Sequence, residues 1–159
     1  MDRTDYKMLD ILQKRGRISS ADLAKEINLS PTPCLKRLRK LENSGIIKGY
    51  KADLDASKLG FNISSLVLIK MADNTRESVN AFTEAVRKVP SITECYMSTG
   101  RVDYVARVFA KDFADYEAIL RDDIARLPNI KDMETLFLFS NCVPDDLSLI
   151  HISEPTRPY

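Results

Sequence analysis

This chain of 159 residues has one histidine, three cysteines and no tryptophan. With His151 as its only imidazole, it has almost nothing from which to build histidine catalysis or a histidine metal site. Cys34, Cys95 and Cys142 are far apart and odd in number. That argues against a disulfide framework and a zinc site, and for reduced thiols in a cytosol. No apolar run approaches the roughly 20 residues of a membrane helix. The opening MDRTDYK lacks the apolar region of a secretion signal. The five glycines form no phosphate-cradling loop, and no carboxylate pair is forced into a catalytic geometry. The chain therefore reads as cytoplasmic and not an enzyme, with no cofactor, metal or membrane partner. What remains is ordinary: 44% hydrophobic and 30% charged, enough for one usual domain or two small ones.

Charge is unevenly distributed along the chain. The overall balance is +1, but residues 1–53 hold 12 Lys+Arg against 7 Asp+Glu, and the remainder holds 12 against 16. A basic first third joined to an acidic body suggests an anion-binding module attached to a separate one.

The basic residues also converge. Asp5 or Thr4 can cap a first helix running to about Lys14, with Met8, Leu9 and Leu12 inward and Gly16 at its end. Ser19 and Asp22 resemble a capping box for a second helix, whose stripe is Leu23, Ala24 and Ile27. Asn28-Leu29-Ser30 is a turn. A third helix opens with Pro31 or Pro33 in its first turn, capped by Ser30 or Thr32 and closed by Gly45. At 100° per residue, Cys34, Leu35, Leu38 and Leu41 share an inner face. Lys36 and Lys40 lie opposite, flanked by Arg37 and Arg39. Two helices joined by so short a turn form a helix-turn-helix, which lays its second helix in the major groove of duplex DNA. The DNA-binding candidates are Lys36, Arg37, Arg39 and Lys40, for phosphates or guanine edges. Ser30 and Thr32 position the helix, and Pro33 faces outward. IIKGYKADL alternates well enough for a strand or wing.

Beyond the connector, the order is strand, helix, strand, strand, helix, strand. The first strand spans Ile63 to Met71. Asn74 and Glu77 form a capping box, with Val79, Phe82, Val86 and Val89 inward and Pro90 at the end. Thr93–Ser98 and Val102–Ala110 make a hairpin around Thr99-Gly100-Arg101. Asp112 caps a helix with Phe113, Tyr116, Leu120, Ile124 and Leu127 inward, and Glu134–Val143 is the last strand. This β-α-β-β-α-β order is ferredoxin-like. The expected fold class is α+β, an N-terminal winged helix-turn-helix joined to a C-terminal ferredoxin-like βαββαβ domain. The expected boundaries are 1–53, a connector at 54–61, 62–146, and an irregular tail at 147–159. Leu66-Val67-Leu68-Ile69 and Leu136-Phe137-Leu138-Phe139 are apolar on both faces, whereas two helices cover only one side of a sheet. A second copy of the same sheet is the simplest cover, so a homodimer is expected. SLIHISEPTRPY has no period and reads as a non-native or disordered tail from about Leu149.

LSPTPCLKRLRKLENSGIIKGY resembles the helix-turn-helix of the Lrp/AsnC family, the leucine-responsive or feast/famine regulators. DRTDYKMLDILQKRGRIS resembles its opening helix, and the likeness runs from about Asp2 to Val143. The resemblance implies a transcription regulator that binds double-stranded DNA as a dimer or a higher oligomer such as an octamer and senses a small amino acid. It also implies an effector site. TGRVDY resembles the family's Gly-x-x-Asp-aromatic loop, which gives Gly100, Asp103, Tyr104 and, on the last strand, Thr135. Val102 and Met133 depart from the residues of many relatives there. Two alternatives stand beside this reading: an RNA-binding module using Phe137 and Phe139, or an amino-acid sensor without direct DNA binding.

Overall fold

The structure, a computed structural model, describes residues 1–142. Val143, where the sequence places the end of the last strand, lies outside them, as does the tail with His151. The described chain forms two compact units, residues 1–53 and residues 54–141.

The first unit has three helices, α1 (Arg3–Lys14), α2 (Ser20–Glu26) and α3 (Pro31–Asn43). Its core is Met8, Leu9, Ile11, Leu23, Ala24, Ile27, Cys34 and Leu41. The cap of α1 is Asp2, not Asp5 or Thr4. The Asp2 carboxylate accepts from the Asp5 amide, and Asp5 accepts from the Asp2 amide, closing a full capping box. Ser19 caps α2 as expected, but Asp22 reaches back to the Ser19 hydroxyl at 2.6 Å. Ser30 is the cap residue of α3 without a side-chain hydrogen bond, and Pro31 occupies its first turn. Gly45 follows at φ 75°, a conformation that a side chain would strain. Residues 46–53, expected to form a strand, carry none in this structure.

The second unit is a four-stranded antiparallel sheet in the order β2-β3-β1-β4. The strands are β1 (Ile63–Met71), β2 (Ile92–Met97), β3 (Tyr104–Ala110) and β4 (Ile130–Leu138). Helix α4 (Arg76–Val86) joins β1 to β2, and α5 (Phe113–Ala118) joins β3 to β4. The period of two divides β1 and β3. Val67, Ile69, Met71, Ala106 and Val108 face the helices and are buried with Phe82, Val86, Tyr116, Ile124 and Leu127. Their neighbours Leu66, Leu68 and Val105 point the other way, and Leu136 and Leu138 pair with Leu66 and Ser64 on that same face. Leu136 is 43% exposed and Leu138 39%. No element of this unit covers them.

Several local expectations are corrected here. Thr75 caps α4 by accepting from the Ser78 amide, so Asn74 and Glu77 form no capping box. The strand β3 begins at Tyr104 rather than Val102, and β4 runs over Ile130–Leu138 rather than from Glu134. The helix after Asp112 widens into a π-helical stretch, Ile119–Ile124, where the Ala125 amide bonds Leu120 O at 2.8 Å. Phe113, expected inside, is 69% exposed at the first position of α5, with its ring edge-on to Phe137. Phe82 is fully buried, with its ring 4.4 Å from that of Tyr104. Phe82→Ala is therefore expected to cost this unit about 3–5 kcal/mol in a urea melt. Phe113→Ala should cost about 1 kcal/mol or less, because it loses one edge contact on the surface.

Candidate nucleic-acid interface and effector loop

The turn before α3 is fixed by backbone bonds. The Asn28 amide reaches Lys25 O at 3.1 Å and the Leu29 amide reaches Ala24 O at 2.9 Å. Asn28 takes φ 55°, a left-handed conformation that asparagine tolerates. Cys34 and Leu41 then anchor α3, with Leu38 packed beside them. Burial pushes the Cys34 thiol up from its ordinary value, so it serves as packing rather than as a nucleophile.

The outer side of α3 is a shallow trough of about 670 Å³ lined by Thr32, Leu35, Lys36, Arg39, Lys40 and Asn43. Ser30, Thr32 and Pro33 are exposed at the start of the helix. Lys36, Arg39 and Lys40 are exposed, and none of them has a carboxylate within ion-pairing distance among the described residues. Glu42, the carboxylate on α3, accepts instead from the Tyr50 hydroxyl at 2.9 Å. Burial and Glu42 together push the Tyr50 phenol up to about 12.

Two expectations about this helix change. Arg37 is not free for an outside anion. Its guanidinium donates to Asp2 at 2.5 Å and to Asp5 at 2.8 Å, tying α3 to the capping box of α1. The Asp5 amide and then Arg37 hold the Asp2 carboxyl below its ordinary value. Leu35 is not part of the core, because it is 36% exposed and lines the trough. The spacing Asp2-x-x-Asp5 marks the capping box, but nothing in it points to Arg37 on another helix. The change at Leu35 follows from angle: Leu35 is 100° from Cys34, too far round to share its face.

The residues expected at an effector site lie in the second unit. Gly100 is at φ 109° in the β2–β3 turn, with open space where a Cβ would stand. Asp103 anchors that turn. Its carboxylate accepts from the Met71 amide at 2.8 Å, from Lys70 at 3.1 Å and from Asn74 at 3.2 Å, and its own amide donates to Ile69 O. Tyr104 is buried against Phe82 on the helix side of the sheet, and its burial pushes the phenol up. Its ring borders a cleft of about 480 Å³ with Thr83, Arg87, Cys95 and Met97. Thr135 pairs with Val67, so β1 separates it from β3, and its hydroxyl lies 2.6 Å from that of Tyr116. The turn brings Gly100, Asp103 and Tyr104 together, and a single chain leaves Thr135 apart. Lys70, Asn74 and Tyr116 are partners that sequence spacing does not reveal, because each meets its group from another element.

The Met71 amide, then Lys70 and Asn74, lower the Asp103 carboxyl from its ordinary 3.8. A carboxylate with a depressed folded value contributes stability that is complete above the unfolded value and vanishes as pH falls through the folded one. Between about pH 5 and pH 2 the wild type is thus expected to lose more stability than Asp103→Asn. Urea melts across that range check it, and parallel curves would remove the assignment.

Residues 64–147 match the Lrp/AsnC ligand binding domain family, and residues 1–48 match a winged helix-turn-helix DNA-binding family. The chain is 36% identical over 140 residues to transcriptional regulator AzlB of Bacillus subtilis (strain 168), covering 88% of this chain and 89% of that protein. It is 38% identical over 135 residues to the leucine-responsive regulatory protein of Escherichia coli (strain K12), covering 85% and 82%. Among solved structures, an AsnC family transcriptional regulator from Agrobacterium tumefaciens superposes with a TM-score of 0.84 at 37% identity, over 90% of this chain and 93% of that one. A transcriptional regulator from Neisseria meningitidis, solved as an L-Met complex, superposes at 0.88 with 28% identity, over 96% and 99%.

Proposed function

The chain belongs to the Lrp/AsnC family of transcription regulators, and from that premise we propose that the outer side of α3 is its operator-binding surface. The observation that carries this is the trio Lys36, Arg39 and Lys40, exposed along one helix with no carboxylate partner among the described residues. Phosphates are the natural complement, since each neutralised phosphate releases condensed counterions. Ser30, Thr32 and Pro33 sit at the start of the helix, the part of a recognition helix that approaches base edges. Arg37 acts from behind, holding α1 against α3, and is left out of the DNA-facing set.

The uncovered sheet face supports a homodimer. Leu66, Leu68, Val105, Leu136 and Leu138 lie on it, and burying an aliphatic side chain contributes roughly 1.5–3 kcal/mol. A dimer carries two copies of α3 and suits an operator of two half-sites. Larger assemblies such as an octamer belong to the same reading. The free thiols of Cys34, Cys95 and Cys142 suit a cytoplasmic setting, and regulation without catalysis is the activity proposed.

The double variant Lys36→Glu with Lys40→Glu is expected to abolish operator binding in a gel shift while leaving the dimer mass by light scattering and the melting temperature unchanged. Binding that survives would show that α3 is not the recognition helix.

The effector proposed is a small amino acid at the β2–β3 turn, as the L-Met complex of the Neisseria relative suggests. Gly100 leaves room for a carboxylate to approach the backbone, and Asp103 offers an ion pair for an α-ammonium in place of Lys70. Tyr104 forms the floor, and Thr135 joins from β4, supplied by a neighbouring copy. Calorimetry with the twenty amino acids is expected to show heat for at least one, lost in Asp103→Ala although that variant still melts cooperatively. Silence with all twenty would retire the site.

A further inference from the structure

Leu35 is a misfit on the surface it occupies. It is the fifth residue of α3, and its immediate neighbours in the trough are Thr32, one turn before, and Lys36 and Arg39, on the cationic side. Residues three apart on a helix are neighbours. The methyl of Thr32 and the isobutyl group of Leu35 therefore form a short apolar edge beside three unpaired cations. A single exposed leucine is common on protein surfaces. This one stands where a duplex would place base edges, and the charges around it complement phosphate.

The major groove offers one apolar group, the C5-methyl of thymine. Apart from the small C5–H of cytosine, the other groups on base edges there are hydrogen-bond donors and acceptors. A leucine pressed over guanine O6 and N7, or over the cytosine amino group, strips water from polar atoms and returns no hydrogen bond. Over a thymine methyl it buries apolar surface against apolar surface. The same side chain thus favours one base and disfavours the alternatives. Resting on the operator-binding reading of α3, we propose that Leu35, with Thr32 beside it, recognises a thymine methyl in each half-site. The cations fix the register of the helix on the backbone, and Leu35 contributes sequence preference.

Duplexes are first enriched from a random pool with the full chain. Thymine is then replaced by uracil, which lacks only the methyl, at each position of the enriched site. The inference expects one thymine per half-site whose replacement weakens binding by about fourfold, the worth of one buried methyl. Leu35→Ala should bind thymine and uracil duplexes equally at that position, with an unchanged melting temperature. Leu35→Gln should move the enriched base toward adenine, whose N6 and N7 pair with an amide. A site indifferent to uracil throughout overturns the proposal, as does a uracil penalty that persists in Leu35→Ala. A pool in which no duplex is enriched overturns the α3 reading itself and this inference with it, an outcome distinct from uracil indifference.

Discussion

The rest of the first unit follows from where its carboxylates go. Residues 1–53 hold seven of them, and six have partners within the unit. Asp2 and Asp5 hold Arg37, Asp10 meets Lys14, Asp22 meets Ser19 and Lys25, Glu26 meets Arg15, and Glu42 accepts from Tyr50. None of these pairs includes Lys36, Arg39 or Lys40. Exposed ion pairs contribute little to stability, so the arrangement matters less for holding the unit together than for what it leaves unpaired. The core residues Cys34 and Leu41 fix the rotation of α3. The carboxylates then remove one cation, Arg37, and leave three facing outward. A net charge of +1 for the whole chain conceals this, because affinity for a polyanion depends on the local field.

The second unit follows from a geometric shortage. Two helices cover one face of a four-stranded sheet, and the pleat sends alternate residues to the other. Were the sheet meant to face water there, Leu66, Leu68, Leu136 and Leu138 would be polar. Ser64, Lys70 and Glu134 share that face, and Arg107 on β3 pairs with Leu66 there. A leucine-rich face with Arg107 and Glu134 set among the leucines is compatible with the homodimer proposed above.

Much of this was legible in the sequence because the signals are local. The helices of the first unit, the turn at Asn28, the proline-led start of α3 and the ferredoxin-like order all rest on caps, breakers and periods that act within a few residues. The local signals mislead where two of them compete. Thr75 and Asn74 are both good cap residues, and the chain uses Thr75 while Asn74 donates to Asp103. Asp2 and Asp5 both precede the first apolar stripe, and the full capping box requires the earlier one as cap. The π-helical stretch at Ile119–Ile124 has no sequence signature, because the apolar spacing of Leu120 and Ile124 suits an α-helix equally well. Pairings between elements were not legible at all. Arg37 with Asp2, Asp103 with Lys70, and Thr135 with Tyr116 span sequence separations over which neither spacing nor propensity carries information.

Those pairings also decide how an effector could act. In one chain Asp103 already holds three donors: the Met71 amide, Lys70 and Asn74. At the proposed site a ligand ammonium would therefore exchange with Lys70 instead of meeting a bare carboxylate. An exchange of one cation for another contributes little net Coulomb energy. Affinity and selectivity must then come from the rest of the ligand and from what the displaced groups do next. Lys70 stands beside the bulge of β1, and Asn74 beside the cap of α4. Both are positions where the backbone is already irregular and small shifts meet little resistance. A ligand that releases them favours a different local arrangement, and only such a difference between states lets one site influence another.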